Sequence, residues 1–325
     1  VYINVEGTLD IDNCNITGDR QAVMVRAGDA TIANSTITTT GQYTTDKGYT
    51  TSTNWGSGNE VPSGALIVGN YYGNYQDDAV VTLTDTTVTG AGTYPAIYVD
   101  ANATYSAEVN ISGESTKVTG ALTEGRYASN DSNSDTEQID ITITAGTFVD
   151  STNKTVDVSD YYPEGVALTQ DETGKVVTNT ATAVAEINGV GYTTLQAAID
   201  AANDGDTVQL LAGTNDEAIT MPLKNITLKG SENHASVLTG GITFASGSAA
   251  GLDMKIEDVV FQGKGITLTT WGVTTDLDQV NSLVIENNEF REITGKDTYA
   301  IHINNSNNAI KGLTIKNNVF SGAQD

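Results

Sequence analysis

Short runs of alternating apolar and polar residues, closed by Gly, Asn, Asp and Thr, fill most of the chain, and helical periodicity is almost absent. Alternation with a period of two is strand patterning, with one face turned inward and the other outward. The runs also repeat one another. Leu9-Asp-Ile-Asp-Asn-Cys-Asn-Ile-Thr17 recurs at residues 30–38 and 81–89, which aligns Ile11 with Ile32 and Leu83, and Ile16 with Ile37 and Val88. A second strand type appears as Ala22-Val-Met-Val25, Ala65-Leu-Ile-Val68 and Ala96-Ile-Tyr-Val99, so each repeat carries at least two strands in fixed order. A looser continuation runs through Val109-Asn-Ile111 and Ile139-Asp-Ile-Thr-Ile143. The later half repeats as Met254 to Phe261, Leu283 to Phe290 and Leu313 to Phe320, with Ile256, Ile285 and Ile315 spaced by 29 and 30 residues.

Self-similarity at such a period is the mark of a stacked array, in which equivalent residues lie over one another at a strand spacing of about 4.8 Å. The expected fold is therefore all-β, a parallel β-helix solenoid with a continuous core. Asn287, Asn288, Asn317 and Asn318 fall at turns, where Asn tolerates left-handed backbone and its amide can bond its neighbour one coil along; they read as structural. Cys14 shares a column with Ser35 and Thr86 and is expected to be a buried small side chain rather than a nucleophile.

One segment departs from the strand pattern. Thr193 to Ala202 places Leu195, Ala198, Ile199 and Ala202 on one helical face. Thr193 with Gln196 fits a capping box, and Gly205 can end the helix in left-handed geometry. A short capping α-helix is expected at about 193–203, followed at once by the strand 206–211, as the open end of a solenoid requires.

The run Gly191-Tyr-Thr-Thr-Leu-Gln-Ala-Ala-Ile-Asp-Ala-Ala-Asn-Asp-Gly-Asp-Thr-Val-Gln-Leu-Leu-Ala-Gly213, with Ile226 to Gly230 after it, resembles the N-terminal cap and first coil of the pectate lyase-like right-handed parallel β-helix superfamily. Within it the similarity is to tandem modules of large surface proteins of gut Firmicutes. Gly146 to Phe148, Val156 to Tyr162 and Gly165 to Val177 resemble the segment that closes such a module. The resemblance implies two consecutive β-helix units: residues 1–180 as the C-terminal part of a first with its closing segment, and residues 184–325 as the N-terminal cap and first coils of a second. It also implies an extracellular, cell-surface setting, and it carries no catalytic motif.

Charge narrows the function. Asp and Glu number 41 against 15 Lys and Arg, a net charge of -26. Nucleic acid would be repelled, and anionic membrane surfaces are disfavoured. No apolar run approaches the roughly 20 residues of a spanning helix, so no membrane insertion is expected. A single cysteine excludes an intrachain disulfide, and His234 and His302 belong to no metal-ligand spacing. No cofactor is expected beyond Ca2+ bound weakly where carboxylates converge. Val1 opens directly in strand-like sequence, so the chain reads as a piece of something longer, with open edges at Val1 to Val5 and at Phe320 that could pair head to tail.

Resemblance to pectate lyases would imply an Asp cluster holding calcium beside an Arg or Lys, yet Arg20, Arg26, Arg126 and Arg291 accompany no Asp column. Resemblance to polygalacturonases would imply paired aspartates with Gly-His-Gly and Arg-x-Lys elements; Asp77 and Asp78 are adjacent but those partners are missing. Asp276 with Asp278, Glu286 with Glu289, and Asp131 with Asp135 read as solvated faces. The insertion at 39–64 and the turn at 69–79 gather Tyr43, Tyr49, Trp55, Tyr71, Tyr72 and Tyr75 beside Asp77 and Asp78, a combination suited to sugar stacking or protein contact. The loop 263–280 with Trp271 is a second candidate. The expectation is a non-catalytic stalk, adhesin or glycan-binding surface whose partner is a glycan or a host or bacterial surface protein. A polysaccharide lyase or glycoside hydrolase acting on an acidic glycan is the alternative.

Overall fold

A computed structural model describes residues 1–40, 64–69, 76–91, 94–101, 103–125, 138–245, 251–269, 280–294, 298–304 and 310–322. They are mostly strand, with one α-helix among the described residues. They form two compact units, Val1–Pro163 with Leu168–Val177, and Glu164–Ala167 with Thr178–Asp325.

In the first unit the chain visits three parallel sheets in rotation. The first holds Tyr2–Ile3, Gln21–Val25, Gly64–Val68, Ile97–Val99 and Leu122–Glu124. The second holds Thr8–Asp12, Gly28–Ala33, Ala79–Thr84, Ala107–Ser112 and Ile139–Ile143, and the third Asn15–Gly18, Thr36–Thr39, Thr87–Thr89, Lys117–Thr119 and Gly146–Val149. Each row thus has three strands where the repeats displayed two. The run Leu9 to Thr17 is two strands, because Asn13 takes a φ of 52° and turns the chain between them.

The repeated residues pair in the register their alignment predicts. Ile11, Ile32, Leu83, Ile111 and Ile143 form one column. Ile16, Ile37, Val88, Val118 and Phe148 form another. Both columns belong to or pack against the core, and each fully buried aliphatic side chain contributes about 1.5–3 kcal/mol. Parallel pairing in the third sheet then gives way to an antiparallel strand, Lys175–Thr178, on Gly146–Val149. Two tight turns brace this region: Asp150 Oδ1 accepts from the N–H groups of Thr152 and Lys154, and Asp171 Oδ1 from those of Thr173 and Lys175.

Cys14 departs from expectation: it is exposed, whereas Ser35 and Thr86 of the same column are buried. Its row is outermost in the second and third sheets, so the column is covered from one side only.

The second unit begins with a hairpin, Ala185–Ile187 and Val190–Tyr192, whose turn residues Asn188 and Gly189 both have positive φ, as a tight two-residue β-turn demands. Parallel sheets follow, again visited in rotation. The first continues with Thr207–Leu210, Thr227–Lys229, Asp253–Glu257, Val280–Glu286 and Ile310–Lys316. The second holds Gly213–Asn215, Ser236–Leu238, Val260–Gln262, Glu289–Arg291 and Val319–Ser321, and the third Ile219–Met221, Ile242–Phe244, Ile266–Thr269 and Ile301–Asn304. Ile256, Ile285 and Ile315 are in register, and Phe261, Phe290 and Phe320 stack at 4.9 and 5.0 Å. Asn287 and Asn317 have φ near 55°, while Asn288 and Asn318 bond one another through their amides, the structural role their positions suggest.

The helix spans Leu195–Ala201, shorter than the predicted 193–203. Its N-cap is Thr194, whose hydroxyl accepts from Ala197 N–H, so Thr193 and Gln196 form no capping box. The Thr193 N–H that a capping box would give to Gln196 donates to the Gly165 carbonyl, and the Glu217 carboxylate, from the turn before Ile219, accepts from the N–H groups of Leu195 and Gln196. Gln196 instead bonds Asp200 and the backbone of Thr220. The helix ends at Ala202 in extended backbone, and Gly205, at φ 93°, serves the following turn. Among the described residues no helix is long and apolar enough to cross a membrane.

Candidate functional site

Six of the eight residues singled out for binding, Tyr43, Tyr49, Trp55, Tyr71, Tyr72 and Tyr75, lie outside the described residues, as do Asp131, Asp135, Trp271, Asp276, Asp278 and Arg126. Asp77 and Asp78 sit just before the strand Ala79–Thr84, and their oxygens are turned to backbone. Asp77 Oδ1 accepts from Asp78 N–H, Asp78 Oδ1 from Ser106 N–H at 2.6 Å, and the Asp78 carbonyl from Gly28 N–H. The pair ties neighbouring rows together.

Glu286 and Glu289 belong to different sheets. Glu286 lies between Lys255 and Lys316, whose bonds hold its carboxyl below the usual glutamate range. A carboxyl tuned to donate a proton near neutral pH would be shifted the other way. The chain of charges continues through Lys255 to Glu257 at 2.7 Å. His234 directs Nε2 at the Asn287 carbonyl oxygen, 2.6 Å away. Among the described residues no three His, Cys, Asp or Glu side chains converge as a metal site would require.

A polar cluster that the sequence reading left as scattered residues is buried on the first sheet of the first unit. Val23, Val25, Leu66, Val68, Ile97 and Val99 face the core, so Met24, Ile67 and Tyr98, in register with one another, face away from it, yet all three are buried. Arg26 and Asp100 follow on the same outward side and are 4% and 1% exposed. Tyr98 donates to Asp100 Oδ2 at 2.9 Å, Asp100 Oδ1 accepts from Ala101 N–H, and Arg26 Nε donates to the Gly69 carbonyl. Gly69 stands between Arg26 and Asp100 in the row order, with φ 119°, and a Cβ there would lie 1.6 Å from the Asp100 carbonyl oxygen. Only glycine fits.

An open groove of about 320 Å3 lies in the second unit along the starts of the third-sheet strands. Gly240, Gly241 and Gly265 line its floor, with Thr243 and Thr267 beside them and Lys264 and Tyr299 at the sides. The bare floor follows from close row packing. A Cβ on Gly240 would meet the Glu217 carbonyl oxygen at 1.8 Å, and one on Gly265 the Ala300 carbonyl oxygen at 2.0 Å. The side chains above it follow from strand alternation. Ile242 and Ile266 turn inward, which turns Thr243 and Thr267 outward in one register column with Thr220 and His302. Tyr299 rests on His302, ring centroids 4.6 Å apart and planes 42° apart, and remains 48% exposed.

The groove can offer an aromatic face, hydroxyls and one ammonium. Among the described residues that line it there is no acid and base pair. The sequence signal for it was the recurrence of Thr220, Thr243 and Thr267 between inward residues, together with a Tyr placed shortly before His302. Nothing in a strand pattern says that the floor between them is open. No family model matches the chain, and no match to it is found among curated proteins or solved structures.

Proposed function

We propose that the chain is a non-catalytic, extracellular binding and spacing module of a bacterial surface protein, built as two consecutive right-handed parallel β-helix units of the pectate lyase-like kind. Residues 1–180 are the closing part of one and residues 184–325 the cap and first coils of the next. The observation that carries this reading is the strict rotation of the chain through three parallel sheets in each unit, with every repeat in register. Right-handedness is the hand that parallel crossovers almost always take. A row-on-row array of this kind tolerates long insertions between rows, and such insertions are where binding residues are carried. The groove beside Tyr299 supplies a surface for a glycan or for a partner protein.

The carbohydrate-active enzyme remains the second reading, favoured by one observation: Arg26, Tyr98 and Asp100 form a buried polar cluster on the outward side of the first sheet. A buried carboxylate beside a guanidinium and a phenol is a set of groups from which acid–base chemistry can be built. Incubation with a panel of neutral and acidic polysaccharides, followed by assays for unsaturated products and reducing ends, separates the two. The module reading expects no turnover. Robust turnover that disappears in Asp100→Asn would replace it with the enzyme.

A further inference from the structure

We infer that the groove over the third sheet of the second unit is a binding site for a neutral oligosaccharide, with one sugar ring stacked on Tyr299. The inference deepens the binding role proposed above and rests on it. Tyr299 lines the groove and is 48% exposed, a large aromatic residue left accessible there rather than buried in the core. The ring contact with His302 limits its freedom before a ligand arrives, which lowers the ordering cost on binding. A sugar ring has a C–H face and a rim of hydroxyls. Tyr299 meets the face, the Thr267 hydroxyl and the Lys264 ammonium meet the rim, and Thr243, whose hydroxyl donates to the Ile219 carbonyl, can accept from it. The glycine floor lets the ring approach the backbone, and no larger residue can replace Gly240 or Gly265 because a Cβ there would strike the next row.

Charge decides between neutral and acidic sugars. Residues 178–325 carry seventeen Asp and Glu against eight Lys and Arg, and the chain as a whole is at -26. A polyanionic glycan would be repelled on approach, increasingly so at low salt. Among the described residues Lys264 is the one ionised side chain lining the groove, and no Arg lines it to grip a carboxylate with two parallel bonds. One solvated ammonium does not offset that field, whereas it donates to a neutral hydroxyl at no such penalty.

The test is calorimetric titration of the whole chain with cello-, xylo- and manno-oligosaccharides and with oligogalacturonates, at low and at high salt. At least one neutral series should bind, with affinity independent of salt. Tyr299→Ala should weaken it about tenfold, while Tyr299→Phe, which keeps the ring, should stay within about threefold. Tighter binding of oligogalacturonates overturns the inference, as does binding by none of the series. Unchanged affinity in Tyr299→Ala, with loss in Trp55→Ala or Tyr72→Ala, overturns it too. Turnover of a polysaccharide by the same sample counts against the non-catalytic reading alone and leaves the groove standing.

Discussion

The two units turn the chain between sheets in the same way and satisfy the turn with different chemistry. In the first unit the break between second and third sheets is a left-handed residue, Asn13, Asn34 or Asp85, followed by Cys14, Ser35 or Thr86. In the second unit the break between first and second sheets is Asp258, Asn287 or Asn317, followed by Val259, Asn288 or Asn318. Each following residue points its backbone N–H at the next row. In the first unit a hydroxyl receives it: Cys14 N–H bonds Ser35 Oγ, and Ser35 N–H bonds Thr86 Oγ1. In the second an amide receives it: Val259 N–H bonds Asn288 Oδ1, and Asn288 N–H bonds Asn318 Oδ1.

The difference lies in reach. Ser35 returns its hydroxyl proton to Ala33 in its own row, and Thr86 to Thr84 at 2.9 Å, with only a long 3.5 Å contact to the Ile32 carbonyl in the row before. The Asn288 amide instead extends to the Ile256 carbonyl in the row before and to Asn318 in the row after, so one side chain joins three rows. A short hydroxyl closes a turn, whereas an amide also fastens the stack.

The largest expected effect is therefore at Asn288, which is fully buried. Asn288→Ala leaves the Val259 N–H without its acceptor and cuts the amide ladder, at about 3 kcal/mol. Hydrogen exchange read by mass spectrometry should show protection lost in peptides covering 252–262 while the first unit is unchanged.

Thr86→Val keeps the shape of a fully buried side chain and removes the acceptor for Ser35 N–H, so it should cost about 1–2 kcal/mol, confined to rows 28–39 and 79–89. Equal losses for the Thr86 and Asn288 variants in urea unfolding would break the distinction between closing a turn and fastening a stack.

The smallest effect is the response to acid, to which both units contribute lowered carboxyls. Hydrogen bonds from the Lys154 backbone and Thr152, and from Thr173 and the Lys175 backbone, hold Asp150 and Asp171 below the usual aspartate range. In the second unit bonds from Lys255 and Lys316 lower Glu286, and bonds from Asn281 and Ser282 lower Asp253. A depressed folded-state pKa stabilises above the unfolded value, near 4, and that contribution is lost as pH falls through the folded value. Asp171→Asn should lower protection of residues 146–177 at neutral pH and flatten its decline below about pH 4. An acid decline in that segment unchanged by the substitution would remove these turns as its cause.

The sequence by itself, through its repeats, set the register and two of the three strands in each row, because Ile11, Ile32 and Leu83, or Ile256 and Ile285, can be buried only if equivalent rows lie over one another. It also marked the turns, since Asn and Asp tolerate left-handed backbone where other side chains clash. Tertiary structure decided the rest. That Glu217 caps the helix depends on which turn packs beneath Leu195, some twenty residues along. That Cys14 is exposed depends on how many rows cover its column. The groove beside Tyr299 and the buried Arg26, Tyr98 and Asp100 arise where outward faces of separate rows meet glycine gaps, and a period-two pattern fixes which face a residue takes but not what lies over that face.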